Sequence, residues 1–122
     1  MLAILALTPL TALGKVSPGF TQKGIASYYS DKLHGRKTAS GERYDKTAYT
    51  AAHRTLPLGT RVRVTNIKTG KSIELRINDR GPFVKGRIID LSRRAARDLG
   101  MIRKGLGRVR VQVLSLPGRK KS

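Results

Sequence analysis

Five short segments with the character of β-strands limit what this chain can fold into. RVRVTNI (61–67), SIELRIND (72–79) and GRVRVQVLSL (107–116) alternate apolar and polar residues with a period of two. Because successive side chains on a strand point to opposite faces, each run predicts a half-buried strand. IASYYS (25–30) and GRIIDLS (86–92) add two further short strands. The turn KTGK joins the first two runs as a hairpin, so the sequence predicts a mostly-β fold.

One segment favours a helix. Ser92 is suited to cap the N-terminus of RRAARDLG, and Gly100 is suited to end it. Short strands, glycine-rich corners and one short helix together indicate a small β-barrel. Asp31–His53 is polar, interrupted by glycine and without sustained periodicity, so it predicts a long irregular loop. Long ordered loops in compact domains are commonly functional.

Composition excludes several kinds of site. The length of 122 residues allows one domain, and there is no cysteine. Disulfides, thiolate metal sites and a cysteine nucleophile are therefore excluded. Two histidines do not make a convincing zinc site by themselves. We expect no metal and no cofactor.

The charge balance predicts an anionic partner. Lys and Arg total 26 against 7 Asp and Glu, which gives a formal net charge of +19. Nucleic acid, acidic lipid and an acidic cell-wall polymer all fit such a charge. Aromatic residues make up only 5% of the chain, so few side chains are available to stack on bases. We expect no dedicated nucleic-acid binding, although a basic nucleic-acid binder remains one alternative.

The ends of the sequence differ from its middle. Leu2–Leu13 is apolar and uncharged, is too short to span a bilayer, and resembles the core of a secretory signal. Gly14–Gly24, rich in Gly, Pro and Ser, predicts a linker. We therefore expect residues 1–23 to be a signal-like N-terminus with a linker, 24–115 the folded domain and 116–122 a basic tail. Export to the periplasm or cell envelope, no integral membrane segment and a monomeric state are expected.

Three segments carry a family resemblance. ASYYSDKLHGRKTASGERYD (26–45), TAAHRTLPLGTRVRVTN (50–66) and RINDRGPFVKGRIIDLSRRAARDLGM (76–101) resemble the rare lipoprotein A family, the septal-ring lytic transglycosylases of bacteria. The resemblance implies a double-psi β-barrel, a fold shared with expansins and some endoglucanases. It also implies an exported enzyme that cleaves peptidoglycan glycan strands, preferably strands without stem peptides.

Asp79 is the leading candidate for a catalytic acid and base. It follows Ile73, Leu75 and Ile77 on one strand face, which predicts that its carboxylate is turned toward the apolar side. A carboxylate in apolar surroundings keeps its proton to higher pH, as a general acid requires. The alternative from the residues alone is a turn aspartate that bonds its own backbone before Gly81-Pro82. The resemblance places the family's catalytic aspartate at this position.

The resemblance implies a reaction that needs one carboxylate. A lytic transglycosylase protonates the glycosidic oxygen, and the same group then takes the proton of the muramic acid 6-hydroxyl as a 1,6-anhydro ring closes. Two alternatives stay open: a two-carboxylate endoglycosidase that uses Glu42 and Asp79, and a non-catalytic, expansin-like wall-binding protein. Asp90, which precedes the predicted helix, competes with Asp79 for the acid role but is better suited to a structural one.

Glu42 and the two histidines are further site candidates. Glu42, in the long loop, is expected from the residues alone to be a solvated loop residue. The family motif favours a site role instead, in which Glu42 either acts on Asp79 by like-charge repulsion or stabilises positive charge at C1 of the sugar. His53 follows small residues and is expected either to orient Asp79 or substrate by a hydrogen bond, or to be a satisfied core histidine. His34 is expected at most to line the groove.

Two tyrosines and an arginine are the substrate-binding candidates. Tyr28 lies in Tyr28-Tyr29-Ser30, where the family usually has Trp-Tyr-Gly, and offers an aromatic platform for a sugar face. Tyr44 offers a second platform, although a tyrosine in a small barrel is more often part of the core. Arg80 is suited to bind the lactyl carboxylate of muramic acid in a bidentate manner, with a structural salt bridge as the alternative.

Overall fold

The computed structural model describes residues 16–118, which form six strands, one α-helix and one short 3-10 helix. The apolar segment 2–13 and residues 119–122 of the basic tail lie outside the described residues. The 3-10 helix is Asp31–Leu33, and the α-helix, α1, is Arg93–Asp98. The strands are β1 (Thr21–Tyr28), β2 (Thr50–His53), β3 (Arg61–Asn66), β4 (Ser72–Asp79), β5 (Arg87–Leu91) and β6 (Gly107–Ser115).

The six strands close into a barrel in the order β1-β5-β2-β4-β3-β6. The β1–β5 and β2–β4 pairs are parallel, and the other four pairs are antiparallel. This confirms the predicted small mostly-β barrel with one short helix. Within residues 16–118, no helix has the length and apolar character needed to cross a bilayer.

The alternating segments form the strands that the sequence predicts. SIELRIND forms β4 over its full length, and the alternating valines of β3 and β6 fill the barrel core. Their period-two pattern is visible in the sequence because one face of each strand is buried and the other is in contact with solvent. The core also contains the buried aliphatic residues Leu75, Ile77, Ile89, Leu91 and Leu99.

Two segments differ from the sequence prediction. β1 begins at Thr21 because Thr21–Gly24 pairs with β6, so the last residues of the predicted linker lie in the sheet. β2 lies at the end of the segment predicted to be an irregular loop, and all four of its residues are buried. A strand covered on both faces shows no alternation, which explains why the sequence pattern does not reveal it.

The helix begins and ends as predicted. The Ser92 hydroxyl accepts a hydrogen bond from the Ala95 amide, as an N-cap does. Gly100 follows the last turn with a φ of 74°, which glycine adopts without strain. Between these two ends, the helix packs Ala95 and Ala96 against the barrel next to β5.

Glycine is required where β1 passes β5. A Cβ atom at Gly24 would lie 2.6 Å from the Cγ2 atom of Ile88, which is closer than a Cβ atom approaches a non-bonded atom in real structures. The missing side chain therefore lets the two parallel strands pack closely where the pairing of β1 with β5 begins.

Candidate active site

The Asp79 carboxylate lies at the end of β4 and accepts three hydrogen bonds. Its Oδ2 atom accepts from the Tyr29 hydroxyl at 2.5 Å. Its Oδ1 atom accepts from the backbone amides of Ala39 at 2.8 Å and Arg80 at 2.9 Å. Three separate segments of the chain thus hold one carboxylate in a fixed orientation.

The predicted apolar setting of Asp79 is wrong. The carboxylate is half-buried and surrounded by hydrogen-bond donors. The pairing of β2 with β4 shifts register, so that Ala51 faces Ile77 while Ala52 faces Asp79. Asn78 is therefore an extra, buried residue in β4, and strand parity no longer continues beyond it.

Tyr29 contacts Asp79 directly and was not among the site residues that the sequence analysis named. Its ring stacks on Tyr44 with centroids 4.2 Å apart and an interplanar angle of 13°. Burial, followed by the hydrogen bond to Asp79, raises the pKa of the Tyr29 hydroxyl above its usual value, so the group stays protonated and donates. One signal was available in the sequence: Tyr29 occupies the tyrosine position of the family's Trp-Tyr-Gly stretch.

Tyr28 lies against the core and not in the cavity beside Asp79. Its ring packs on the buried apolar cluster, and its hydroxyl donates to the Ile102 carbonyl at 3.1 Å. Tyr28 therefore supports the segment that follows α1.

The Tyr44 ring packs against one face of the Tyr29 ring. It is only 2% exposed, and its hydroxyl accepts a hydrogen bond from the Arg93 amide at 3.0 Å. Burial raises the pKa of the Tyr44 hydroxyl. The His34 ring lies edge-on to Tyr44 with centroids 6.3 Å apart, and its Nδ1 atom accepts from the Lys46 amide at 3.2 Å. The buried Tyr44 ring therefore presents no open face on which a sugar can stack, and the exposed His34 ring does not line the cavity beside Asp79.

His53 bonds to the loop after β2 and to β1. It is 4% exposed, and its Nδ1 atom accepts from the amides of Thr55 and Leu56, both at 3.1 Å. Its Nε2 atom lies 2.8 Å from the Gln22 side-chain oxygen. Because Nδ1 accepts, the proton of the neutral ring is on Nε2 and is donated to Gln22. Both ring nitrogens are thus engaged, and neither bonds to Asp79.

The environment of His53 keeps its ring neutral. Burial, followed by the nearby charges of Arg80 and Arg54, lowers the pKa of His53 from 6.5 to about 4. The Arg80 guanidinium donates from Nη1 to the carbonyls of His53 at 3.1 Å and Leu56 at 2.7 Å. Arg80, the residue after Asp79, thus holds the loop after β2 against the end of β4, and among residues 16–118 it makes these backbone contacts and no salt bridge.

Glu42 is ionised and paired. Its Oε1 atom accepts from Arg76 Nη1 at 2.8 Å and from the Asn78 amide group at 3.0 Å. These hydrogen bonds lower the pKa of Glu42, and the bond from Arg76 contributes most. The loop that begins at Thr38 is thereby fixed to β4, and the same loop supplies the Ala39 amide that bonds to Asp79.

Glu42 and Asp79 line different cavities. The cavity next to Asp79 has a volume of about 110 Å³, and the cavity next to Glu42 about 220 Å³. Arg36 and Lys37 bring two positive charges to the Asp79 cavity. That cavity is lined by Tyr29, Leu33, Arg36, Lys37, Thr38, Tyr44 and Asp79.

Asp90 lies two strands away from Asp79. Ala52 pairs with Asp79 on one side and with Asp90 on the other, so the two aspartate backbones are about 10 Å apart at a strand spacing of about 4.8 Å. The Ser27 hydroxyl donates to the Asp90 carboxylate. Of the two aspartates, Asp79 is the one that lines the cavity. Among residues 16–118, no group of three or more His, Asp or Glu side chains is placed to hold a metal ion.

Comparison with known sequences gives a consistent result. A protein-family model described as "Lytic transglycolase" matches residues 21–111. The chain is 56% identical over 106 residues to the endolytic peptidoglycan transglycosylase RlpA of Pasteurella multocida, covering 87% of this chain and 36% of that protein. The chain thus spans little more than a third of the length of this relative.

Two solved structures have a similar barrel. The Streptomyces papain inhibitor superposes with a TM-score of 0.65 at 23% identity, covering 82% of this chain and 99% of that chain. The ligand-free expansin of Clavibacter michiganensis superposes with a TM-score of 0.63 at 22% identity, covering 81% of this chain and 52% of that chain. At such identities the likeness concerns the fold alone. Together with the family match, it confirms the predicted double-psi β-barrel.

Proposed function

Since the chain belongs to the rare lipoprotein A family of lytic transglycosylases, we propose that its barrel cleaves peptidoglycan glycan strands, with Asp79 as the acid and base. The relative from Pasteurella multocida is named as an endolytic peptidoglycan transglycosylase, which supports this substrate. The bond to be cleaved joins MurNAc to GlcNAc, and the preferred substrate is a strand without stem peptides. The protein then acts outside the cytoplasmic membrane, in the periplasm or cell envelope, where peptidoglycan lies.

The hydrogen bonding of the Asp79 carboxylate is the observation that carries the proposal. Two backbone amides donate to Oδ1, from Ala39 and Arg80. Oδ2 accepts only the Tyr29 hydroxyl among the described residues, and the side chain lines an open cavity. A carboxylate oxygen has two lone pairs, so Oδ2 retains one for a proton. Oδ2 is therefore the atom that delivers the proton to the substrate and recovers it.

The reaction needs no water molecule. Protonated Asp79 gives its proton to the glycosidic oxygen while the bond from that oxygen to C1 of MurNAc breaks. The 6-hydroxyl of the same MurNAc forms the new bond to C1 and returns its proton to Asp79. The products are a 1,6-anhydro-MurNAc end and a free GlcNAc hydroxyl, and Asp79 is again protonated.

The positive charges of Arg36 and Lys37 suit the anionic part of the substrate. Both line the cavity with Asp79, and MurNAc carries a lactyl carboxylate. The sequence analysis gave Arg80 as a candidate for that carboxylate, with a structural salt bridge as the alternative. We assign it to Arg36 and Lys37, because Nη1 of Arg80 is bonded to two backbone carbonyls. Tyr29 and His53 act as positioning residues, the first through its hydroxyl and the second through the loop that Arg80 ties to β4.

The two alternatives predict different products. In an endoglycosidase that uses Glu42 and Asp79, water enters the reaction and the products carry ordinary reducing ends. The pairing of Glu42 with Arg76 disfavours this alternative, since a paired carboxylate in a separate cavity is poorly placed to activate that water. An expansin-like wall-binding protein would bind glycan and release no product.

Mass analysis of products from purified, peptide-free glycan strands tests the proposal. We expect the wild-type chain to release fragments with 1,6-anhydro ends. Asp79→Asn should abolish their release, because an amide keeps the shape of the acid but has no proton to deliver. Asp98→Asn is the matched control, since Asp98 bonds to Tyr49 and Arg94 on α1 and takes no part in the cavity.

Two outcomes would contradict the proposal. Wild-type products without anhydro ends would indicate hydrolysis. Anhydro products from a folded Asp79→Asn chain at the wild-type rate would exclude Asp79 as the acid. A thermal melt of each variant shows whether the fold is retained.

A further inference from the structure

A second cavity lies at the opposite end of β4 from Asp79. It is bounded by the turn between β3 and β4, the segment after α1 and the start of β6. Thr65 pairs with Ser72, so this turn is at the N-terminal end of β4. β4 has eight residues, and at about 3.3 Å per residue the two ends are about 23 Å apart. The cavity is therefore separate from the candidate active site.

The cavity is large and strongly basic. Its volume of about 450 Å³ is about twice that of the Glu42 cavity and four times that of the Asp79 cavity. Among residues 16–118, no carboxylate lines it. Four cationic side chains do, and within residues 16–118 none of them is in a salt bridge: Lys68, Arg103, Lys104 and Arg108.

Four unpaired like charges around one cavity are complementary to an anion. They repel one another in the free protein, and an anionic ligand would relieve that repulsion. Elsewhere in the described part of the chain, five arginines do pair with carboxylates. The few acidic residues of the sequence all lie away from this cavity.

The apolar part of the lining selects the class of anion. Leu106 is 43% exposed at the rim, and Met101 packs beneath it against Gly107, where a Cβ atom would lie 3.1 Å from the Met101 methyl. In the described part of the chain no aromatic side chain lines the cavity, so it offers no aromatic face on which a base or a sugar ring would stack. A ligand with a phosphate group and aliphatic chains satisfies both the cations and the exposed leucine.

We propose that this cavity binds the headgroup of an anionic phospholipid at a membrane surface. The four cations meet the phosphate groups, and Leu106 enters the acyl boundary. Because β4 runs from this cavity to Asp79, the bound orientation directs the candidate active site away from the bilayer. The inference does not depend on the chemistry at Asp79.

Vesicle sedimentation tests the inference with the full chain. The probes are vesicles of phosphatidylcholine alone and vesicles of phosphatidylcholine with phosphatidylglycerol in equal parts. We expect binding to the anionic vesicles only. The double variant Arg103→Glu/Lys104→Glu should bind them at least about tenfold more weakly, since each cation near an anionic surface adds to the attraction and each glutamate opposes it.

The matched control is Lys23→Glu/Arg61→Glu. It changes the net charge by the same amount at two exposed strand residues outside the cavity. We expect its affinity for the anionic vesicles to fall by less than about threefold. Equal losses in the two double variants would mean that binding reflects overall charge, and the inference would be overturned.

Leu106→Asn tests the apolar contact. It should weaken binding to the anionic vesicles severalfold while leaving the melting temperature close to that of the wild type, because the side chain is exposed at the rim. Unchanged vesicle binding in this variant, or binding of a short single-stranded DNA that depends on Arg103 and Lys104 more than vesicle binding does, would overturn the assignment to lipid. Cleavage of soluble glycan is measured on the same variants, so a failure here is distinguishable from a failure at Asp79.

Discussion

Replacing His53 by Asn tests whether one buried imidazole limits the stability of the fold in acid. In the folded chain its pKa falls from 6.5 to about 4, mainly through burial. The unfolded chain therefore takes up a proton near pH 6.5, whereas the folded chain does not until about pH 4. The stability that the neutral ring supports is complete above pH 6.5 and is lost as the pH falls from there toward 4.

The size of this loss follows from the same two values. At about pH 5 the unfolded state is almost fully protonated at this position and the folded state is almost fully neutral. At about 1.4 kcal/mol per pKa unit, the free energy of unfolding should be about 2 kcal/mol lower at pH 5 than at pH 7.5. Because His53 is 4% exposed, solvent screening reduces this figure little. The comparison ends at about pH 5 so that carboxylates contribute little to it. Glu42, Asp45 and Asp98 have lowered pKa values in the folded chain, so their protonation destabilises the fold only in stronger acid.

His53→Asn removes the titration and keeps a local acceptor. The Asn side-chain oxygen is able to accept from amides two and three residues ahead, as the His53 Nδ1 atom does from Thr55 and Leu56. We expect this variant to be less stable than the wild type near pH 7.5 by about 1–2 kcal/mol, through the lost bond to Gln22 and the lost packing. Its stability should then change little between the two pH values.

Urea unfolding at the two pH values provides the measurement. His34→Asn is the matched control, since His34 is the other histidine of the chain and lies outside the core. We expect the His34 variant to keep the wild-type pH dependence. If His53→Asn loses as much stability in acid as the wild type does, the imidazole is not the group responsible and the reasoning fails.

Two further predictions concern the site and the packing of β1. Tyr29→Phe keeps the stacked ring but removes the donor to Asp79, so glycan cleavage should fall about tenfold to a hundredfold, as expected for a hydrogen bond worth about 1.5–3 kcal/mol; Tyr28→Phe is the adjacent control and should stay within about threefold. Equal rates for the two variants in the product assay would exclude a role for the Tyr29 hydroxyl. Gly24→Ala places a methyl group against Ile88 and should lower the free energy of unfolding by about 1–3 kcal/mol; in urea unfolding, its combination with Ile88→Ala should cost less than the sum of the two single changes. Additive losses would mean that the two side chains do not meet.

The sequence was most informative where one strand face is buried and the other is not. The alternating valines of β3 and β6 correctly predict these strands. Ser92 and Gly100 indicate the two ends of α1, because each suits a capping position. β2 gives no such signal, because all four of its residues are buried. The same limit applies to Asp79: the register shift at Asn78 is a property of the pairing between β2 and β4, and no local pattern in β4 reports it.

Part of the candidate site was predictable and part was not. Asp79, Glu42 and His53 were named as site candidates from their motifs, and those roles stay predictions, whereas their hydrogen-bond partners include residues of distant segments. Tyr29 and Asp79 are 50 residues apart, and Ala39 and Asp79 are 40 apart. Tyr44 and Tyr28 were assigned to sugar binding because a tyrosine suits either a sugar platform or a core, and only the tertiary packing distinguishes these uses. Their roles in substrate binding and catalysis stay predictions until the variants are measured.

The position of β6 in the ring has a consequence for incomplete chains. β6 pairs with β1 on one side and with β3 on the other, so it is the strand that closes the barrel. A chain that ends before Gly107 would leave the edges of β1 and β3 without their partners at the same time. Exposed strand edges are templates for pairing with other chains, so such fragments should self-associate. Synthesis of β6 therefore separates a closed barrel from a species prone to aggregate, and the valines that complete the core arrive in that same step.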